Sequence, residues 1–488
     1  MTSSALSASA ASRGTVSRCR TGRLDSQARC GAAMLVVVQI GQCGNQVGAA
    51  FWAAVAQQQQ GQSPASGPHS LRALLVPTSD NPVQYRARCV LVDAEPKAVL
   101  ACVASTPLLA QCPVVTATGA GHGGNWACGY STRPGDGQEP RGDSLLARAV
   151  AAVGREVDKC PTAPDLLLLL GATGGTGGGL GCALLEQLRR VHRHLFIAAA
   201  VVGLGEGALL APVASCFTAQ FLDAYADAVF LFSNAELCSS LERSARTAGE
   251  AVPLVTLSRV NATIGRALCA ALCPGPPSDA APCGSTSVRD IVAHVSQPGL
   301  KFLDIRCGAA PHGAYETDGQ LWSSLVAAVA QDAPKRDLGA PSRRLFTSTA
   351  SLLILRGCPP SAAVLATQAA HRALGEATTW GVAPGHGAPR VVAFSQGWCG
   401  QWDTRNVPAS VKGGGTGGAP LRTACLVSNR DACVVPLAAA ADGCDALLAS
   451  GAYMNQLARW GVTADAVADA VAATRAVVQR YAEARRHE

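Results

Sequence analysis

Five consecutive leucines, Leu166 to Leu170, run straight into the glycine-rich stretch 171–181 (GATGGTGGGLG), and an amphipathic pattern resumes at once in Gly181–Val191. This junction constrains the fold more than any other segment. A strand so uniformly apolar is buried on both faces, which calls for a parallel sheet covered by helices on each side. A glycine turn from strand to helix lets backbone N–H groups approach an anion closely, and the helix start adds partial positive charge. Thr176 offers a hydroxyl to a phosphate oxygen at that turn. No Lys follows in the P-loop position, and the spacing is not Gly-x-Gly-x-x-Gly, so neither of those fingerprints applies. Residues 413–418 (GGGTGG) have a similar composition without a strand before or a helix after, and read as a linker.

The rest of the chain repeats the alternation. Strands are expected at Leu35–Ile40, 89–92, 165–170, 195–202 and Ala228–Phe232, with helices over 46–55, 144–157 and Gly181–Val191. In 144–157 the residues Leu145, Leu146, Ala149, Val150, Val153 and Val157 fall at helical spacing. The order predicts an α/β fold with a parallel sheet covered on both faces. Beyond residue 250 the pattern changes to a long apolar helix (255–272), a Pro/Gly/Ser break (274–287), and mixed strands at 301–305, 352–356, Arg390–Phe394 and 424–428. Residues 412–420 read as a flexible glycine insertion, 57–70 (QQQQGQSPASGPHS) as a low-complexity loop, and 464–484 as an amphipathic helix. Four parts follow: a disordered N-terminal extension (1–33), a nucleotide-binding domain (34–254), a connecting helix with a second α/β domain (255–430), and a C-terminal helical layer (431–488).

Composition narrows the functional classes. With 488 residues, 48% hydrophobic and 15% charged, the chain is no charge-rich disordered scaffold. The formal charge of +7 is modest for this length, and no Lys/Arg run interleaves with aromatics, so no nucleic-acid groove is expected. The 20 Cys are scattered, with no Cys-x-x-Cys pair, and read as small buried hydrophobes in a reducing compartment. The most apolar stretch, 195–222, is broken by Gly203, Gly205, Gly207 and Pro212, so it reads as strand, loop and helix, and no membrane span is expected.

Other signals sit at the expected strand ends. Gly41-Gln42-Cys43-Gly44 ends the first strand, Asp93-Ala-Glu95-Pro96 the second, and residues 119–125 (GAGHGGN) form another glycine loop. In an open parallel sheet, ligands sit outside the carboxyl ends of the strands, so these loops can share one site. Asp93 and Glu95 beside phosphate-cradling glycines suit a Mg²⁺ held through water, although either alone is equally a helix cap.

The stretches 39–48 (QIGQCGNQVG), 93–96 (DAEP), 123–130 (GGNWACGY) and 174–181 (GGTGGGLG) resemble those of the tubulin family, in order and at family spacing from Met34 nearly to the C-terminus. Within it, 90–99 (VLVDAEPKAV), 154–160 (GREVDKC), 173–181, 351–357 (SLLILRG), 426–437 (LVSNRDACVVPL) and 452–461 (AYMNQLARWG) look most like the delta-tubulin branch. The resemblance implies a GTP/GDP pocket with Mg²⁺. Gln42 and Cys43 would line the phosphates and base side, Gln42 and Glu95 would lie by the metal, and Asp93 and Glu95 would act on the metal and γ-phosphate side. Gly123, Asn125, Gly174, Gly175, Thr176 and Gly177 would cradle the phosphates. Glu206 would stand near the ribose, and Asn234 would hydrogen-bond the guanine edge. The partners implied are other tubulin subunits or microtubule ends and centriolar proteins, in cytoplasm, centriole, basal body and cilium.

Departures from the family pattern accompany the match. Gly124-Asn125-Trp126 stands for Asn-Asn-Trp, Gly178 for the usual Ser of the glycine signature, Leu254 for an aromatic that stacks on guanine, and Ser258 for a nearby Asn. Tubulins complete the GTP site in trans with an acidic residue. The matching segment 282–294 (PCGSTSVRDIVAH) offers only Asp290, beside Arg289, so a weak activator of a neighbour's hydrolysis is expected, with no catalytic group in cis. The chain ends in Arg-Arg-His-Glu, without an acidic tail. Among smaller signals, Arg141-Gly-Asp143 reads as a surface turn, Asn261-Ala-Thr263 as a glycosylation triplet without meaning in a buried helix, and Cys269 with Cys273 as core packing. Two other functions stay open, a gamma-like nucleating chain and a stand-alone guanine-nucleotide hydrolase.

Overall fold

The computed structural model describes residues 34–60, 71–78, 81–117, 121–131, 144–207, 209–247, 255–273, 287–310, 317–334, 336, 344–375, 389–394 and 422–486. The expected extension 1–33, most of the loop 57–70, the Arg141–Asp143 triplet, Leu254, the break at 274–286 and the glycine insertion 412–420 lie outside the described residues.

The first half alternates strands and helices: β1 (Leu35–Ile40), α1 (Gly41–Gln60), a hairpin β2 (Leu75–Thr78) and β3 (Asn81–Ala87), β4 (Cys89–Asp93), α2 (Pro96–Ser105), β5 (Val114–Thr116), α3 (Trp126–Tyr130) and α4 (Leu145–Asp158). It continues with β6 (Asp165–Gly171), a π-helical turn (Gly175–Leu180), α5 (Gly181–Val191), β7 (Ile197–Val202), α6 (Ala211–Tyr225), β8 (Ala228–Phe232) and α7 (Asn234–Thr247). Then come α8 (Leu257–Leu272), α9 (Val288–Val295), β9 (Phe302–Ala310), α10 (Asp318–Asp332), β10 (Ser348–Arg356), α11 (Pro360–Leu374), β11 (Arg390–Phe394), β12 (Arg422–Arg430), α12 (Val434–Ser450), α13 (Met454–Ala458) and α14 (Ala464–Arg486).

Ten strands form one sheet in the order β11-β10-β12-β9-β8-β7-β6-β1-β4-β5. From β5 to β9 every pair is parallel, whereas β12 runs antiparallel to both β9 and β10. The second set of strands therefore extends the first sheet, through Val229, Phe230 and Leu231 of β8 pairing Phe302, Leu303 and Asp304 of β9. Alternation along β6 sends Leu167 and Leu169 to one core and Leu166, Leu168 and Leu170 to the other, all 2% exposed or less. At about 1.5–3 kcal/mol for each leucine removed from water, this strand anchors both layers. The helices α12 and α14 pack on α6, forming the C-terminal layer.

Two expectations about the extent of α1 are corrected. The helix placed over 46–55 begins at Gly41, because Asn45 Nδ2 donates to Gly41 O (2.9 Å) and Val92 O (3.1 Å) and ties the first turn to β4. It runs on to Gln60, so Gln57 to Gln60 are helical, as unbranched glutamine allows. With its preceding turn, α12 (Asp431–Ser450) is long and apolar enough to cross a membrane by length and composition alone. Ala440, Ala441 and Cys444 pack one face of that helix into a cluster with Cys216 and Phe217 of α6.

Candidate nucleotide-binding site

Strand register brings the site together. Ile40 of β1 lies opposite Leu170 of β6 and Val92 of β4, Gly171 opposite Val202 of β7, and Val202 opposite Phe232 of β8. The next residues along the chain, including Gln42, Asp93, Thr173, Gly203 and Asn234, therefore leave the sheet at one carboxyl edge. They enclose a cavity of about 630 Å³, a size that holds a drug-sized or nucleotide-sized ligand.

The floor is the turn that follows β6. Gly174, Gly175, Thr176 and Gly177 all line the cavity. The N–H groups of Gly178 (2.9 Å) and Gly179 (3.2 Å) both bond Gly174 O, winding a π-helical turn whose first amides lack intrahelical acceptors. Thr176 Oγ1 lies 3.0 Å from His122 Nδ1. Gly178 is buried beneath the floor, where a Cβ would stand 2.5 Å from Ala172 O, so the family's Ser at this position has no space here. Among the described residues, neither Lys nor Arg lines the cavity. An anion would be held by backbone amides, hydroxyls and the helix dipole.

The loop before α3 supplies one wall. Gly123, His122 and Gly124 line the cavity. Asn125, expected to cradle phosphate, instead caps α3, its Oδ1 accepting Ala127 N (3.0 Å) and Cys128 N (3.3 Å). It lines a smaller adjoining pocket with Trp126 and Phe217.

Asp93 and Glu95 form the acidic wall with Gln42. Asp93 is 3% exposed; Oδ1 accepts the Glu95 N–H (3.2 Å), and Oδ2 is buried without a hydrogen-bond partner. Burial, with the Glu95 charge beside it, pushes the Asp93 carboxyl above the usual range in spite of backbone hydrogen bonds. Glu95 stands at the N-cap of α2 and makes no capping bond. An orphaned carboxylate oxygen next to a second carboxylate and an amide is an oxygen-donor set that fits Mg²⁺. Among the described residues, no group of three or more His, Cys, Asp or Glu could hold a metal ion. The phosphate and water would have to complete the coordination.

On the far side, Glu206 and Asn234 meet. Glu206 Oε2 accepts Asn234 N (3.2 Å) and Nδ2 (2.9 Å), while Oε1 accepts Ser233 Oγ (2.6 Å) and Ala235 N (3.2 Å). Cys43 also lines the cavity, its thiol pushed up to about 11 by burial and then by the Glu206 charge, which keeps it neutral. The expected Ser258 does not line the cavity. Leu257 and Asn261, one turn apart on α8, take that wall, and Asn261 Nδ2 donates to Gln46 Oε1 (3.3 Å). The asparagine dismissed as a glycosylation triplet thus belongs to the site. Sequence reasoning also missed His122; Leu257 and Asn261 were legible in principle as an i, i+4 pair.

Asp290 lies elsewhere. It closes a capping box on α9 with Ser287, and its neighbour Arg289 donates to Asp165 Oδ1 (2.9 Å) at the amino end of β6, away from the cavity. Cys269 and Cys273 pack in the core with sulfurs 3.1 Å apart, and every described cysteine is a free thiol.

Fold and cavity define an α/β protein with a glycine-floored cavity at the carboxyl edge of a parallel sheet. Residues 34–242 match the model of the Tubulin/FtsZ family, GTPase domain. The chain is 27% identical over 242 residues to a tubulin gamma chain of Candida albicans (41% of this chain, 46% of that protein). It is 33% identical over 162 residues to a tubulin beta chain of Trichophyton rubrum (32% and 34%), and 28% over 167 to a tubulin gamma chain of Caenorhabditis elegans (33% and 36%). The matches span less than half the length of these relatives. The fold of this region is that of the tubulin GTPase domain, with tubulins as homologues at modest identity.

Proposed function

We propose that the chain binds GTP or GDP with Mg²⁺ in the carboxyl-edge cavity and acts as a structural subunit of the microtubule cytoskeleton. The observation that carries this reading is the convergence on one cavity of the glycine turn after β6 and Asp93, whose Oδ2 is buried and unpartnered. Phosphates would lie on Gly174 to Gly177 and Thr176, with Gln42, Asp93 and Glu95 on the metal side. When bound, Mg²⁺ would neutralise charge between the phosphate oxygens. The base would lie against Leu257, with Asn234 and Asn261 at its edge. Asn234 Nδ2 is held by Glu206, which leaves Oδ1 to accept from a purine that offers ring N–H and amino donors, as guanine does.

The finer reading is a delta-type tubulin, supported by the delta-like stretches 90–99, 154–160 and 426–437. Its partners would be other tubulin subunits, microtubule ends and centriolar proteins, and its place the centriole, basal body and cilium, where it would support triplet microtubules. Matches to tubulin gamma chains favour a second reading, a gamma-like nucleating chain. Hydrolysis would be slow and completed by a partner; Asp290, capped on α9, would be a poor activator of a neighbouring site.

The test is nucleotide content of the purified chain, with and without Thr176→Ala. Guanine nucleotide in the native chain and loss in the variant supports the reading; an empty native chain overturns it. Tagged protein in the centriole wall supports the delta type, and protein confined to the pericentriolar cloud supports the gamma-like one. Turnover by monomer, independent of concentration, would instead show a stand-alone hydrolase.

A further inference from the structure

The loop before α3 sets an imidazole on the phosphate floor. Asn125 N donates to His122 O (3.0 Å), closing a four-residue turn whose inner residues, Gly123 and Gly124, have φ of +55° and +69°. Positive φ at both inner positions reverses the chain sharply and suits glycine. The reversal lays His122 against the floor. A Cβ on Gly175 would stand 2.6 Å from His122 Cβ, so the floor is bare where the histidine rests. Nδ1 then lies 3.0 Å from Thr176 Oγ1, and both residues line the cavity.

A threonine hydroxyl has one proton and two lone pairs. Were Thr176 to give its proton to Nδ1, it would face the cavity with lone pairs alone and would repel an anion. With the ring proton on Nδ1, the imidazole donates to Oγ1 and the hydroxyl proton is free to turn inward. We propose that His122 is a positioning residue of this second kind: its Nδ1–H fixes Thr176 as a hydrogen-bond donor to a phosphate group of the bound nucleotide. This rests on the guanine-nucleotide reading of the same cavity. Burial pulls the His122 pKa below its ordinary value, so the ring is neutral and has a single N–H to place. The arrangement matters more here because, among the described residues, amides and hydroxyls rather than Lys or Arg line the cavity to hold the anion.

The experiment compares GTP and guanosine binding by calorimetry to the nucleotide-stripped full chain. The variants are His122→Ala, His122→Asn, Thr176→Val and the double variant His122→Ala/Thr176→Val. We expect His122→Ala and Thr176→Val each to weaken GTP about tenfold, and the double variant no more than either, since both remove one interaction. His122→Asn places an amide N–H near the same oxygen and restores most of the loss. Guanosine, which has no phosphate, binds all forms alike and reports that the cavity is intact. Independent losses that multiply in the double variant, a His122→Asn no better than His122→Ala, or a parallel loss of guanosine each overturn the proposal. A native chain that takes neither ligand overturns the nucleotide reading and this inference together, whereas native binding matched by His122→Ala overturns the inference alone.

Discussion

Asn234 Nδ2 donates to Glu206 Oε2 at 2.9 Å, so the amide facing the cavity is held by a carboxylate from the neighbouring strand end. The same carboxylate accepts the backbone N–H groups of Asn234 and Ala235 at the start of α7, where negative charge is favoured by the helix dipole.

Glu206→Ala should therefore act on two properties. Losing a carboxylate at the α7 N-terminus should cost about 1 kcal/mol of stability. Releasing the Asn234 amide to flip should weaken GTP about tenfold and leave ATP unchanged, narrowing base discrimination. Denaturant unfolding checks the first, and competition between the two nucleotides checks the second. Unchanged discrimination would remove Glu206 from base recognition.

Asp93→Asn probes the acidic wall. A buried carboxylate oxygen without a partner is a cost to the ligand-free fold. The variant should unfold at a higher temperature than the native chain in the absence of nucleotide. It should also weaken the Mg²⁺ dependence of GTP affinity, since an uncharged amide oxygen attracts the cation less than the carboxylate it replaces. A variant less stable without ligand would show that Asp93 is satisfied in a way its neighbours do not reveal.

Much of this site was legible in the sequence, because glycine loops and carboxylates were placed at the ends of strands whose apolar runs are unmistakable. Leu166 to Leu170 could only be a buried strand, and once β6 was placed the loops after β1 and β4 followed. What stayed hidden depends on contacts distant in sequence. Pairing of Val229 with Phe302 joins β8 to β9 and makes one continuous sheet of the two sets of strands. The α8 wall was misjudged because Ser258 was aligned to the cavity while α8 turns Leu257 and Asn261 toward it. Asn125 was read as a phosphate ligand, yet its side chain answers two orphan amides of α3, a demand visible only once that short helix exists.

Two glycines beside the site should fail differently. A Cβ on Gly44 would stand 2.1 Å from Leu169 O, a collision with the backbone of β6. Gly44→Ala should lower stability by about 3 kcal/mol, because neither α1 nor β6 can retreat from a packed core. At Gly123 a Cβ would meet nothing within 4 Å, but φ is +55°. Gly123→Ala should cost about 1–2 kcal/mol of local strain and show chiefly as weaker nucleotide binding. Equal thermal shifts in the two variants would contradict this division.

Arg289 pairs with Asp165 across 2.9 Å, tying α9 to the first residue of β6. Burial raises the Asp165 carboxyl above its ordinary 3.8, even though Arg289 pulls it down. A raised carboxyl contributes stability below its unfolded value and loses it as pH rises through the folded value. Arg289→Leu should raise the folded value further and cost about 1–2 kcal/mol at neutral pH, less than a fully buried pair because the arginine is half exposed. The gap between variant and native chain should narrow as pH falls through the folded value and Asp165 becomes neutral in both. Denaturation midpoints across that range test the sign; a gap that widens in acid would contradict it.

Gln39 is the penultimate residue of β1 with 0% exposure, and both its Oε1 and Nε2 lack hydrogen-bond partners. It fits only because Gly48 on α1 carries no side chain: a Cβ there would stand 2.1 Å from Gln39 Cδ. A buried amide with neither group satisfied costs about 1–3 kcal/mol, while an unbranched thioether of similar length fills the same space without that penalty. Gln39→Met should therefore raise the unfolding temperature and leave GTP affinity unchanged, because Gln39 does not line the cavity. Gly48→Ala should destabilise the native chain, and Gln39→Ala in the same molecule should recover part of the loss by vacating the space the new methyl needs. Thermal unfolding of the single and double variants measures both. A Gln39→Met chain that melts lower would mean the amide is held by ordered water, and an unrecovered double variant would show that Gln39 does not occupy the space beside Gly48.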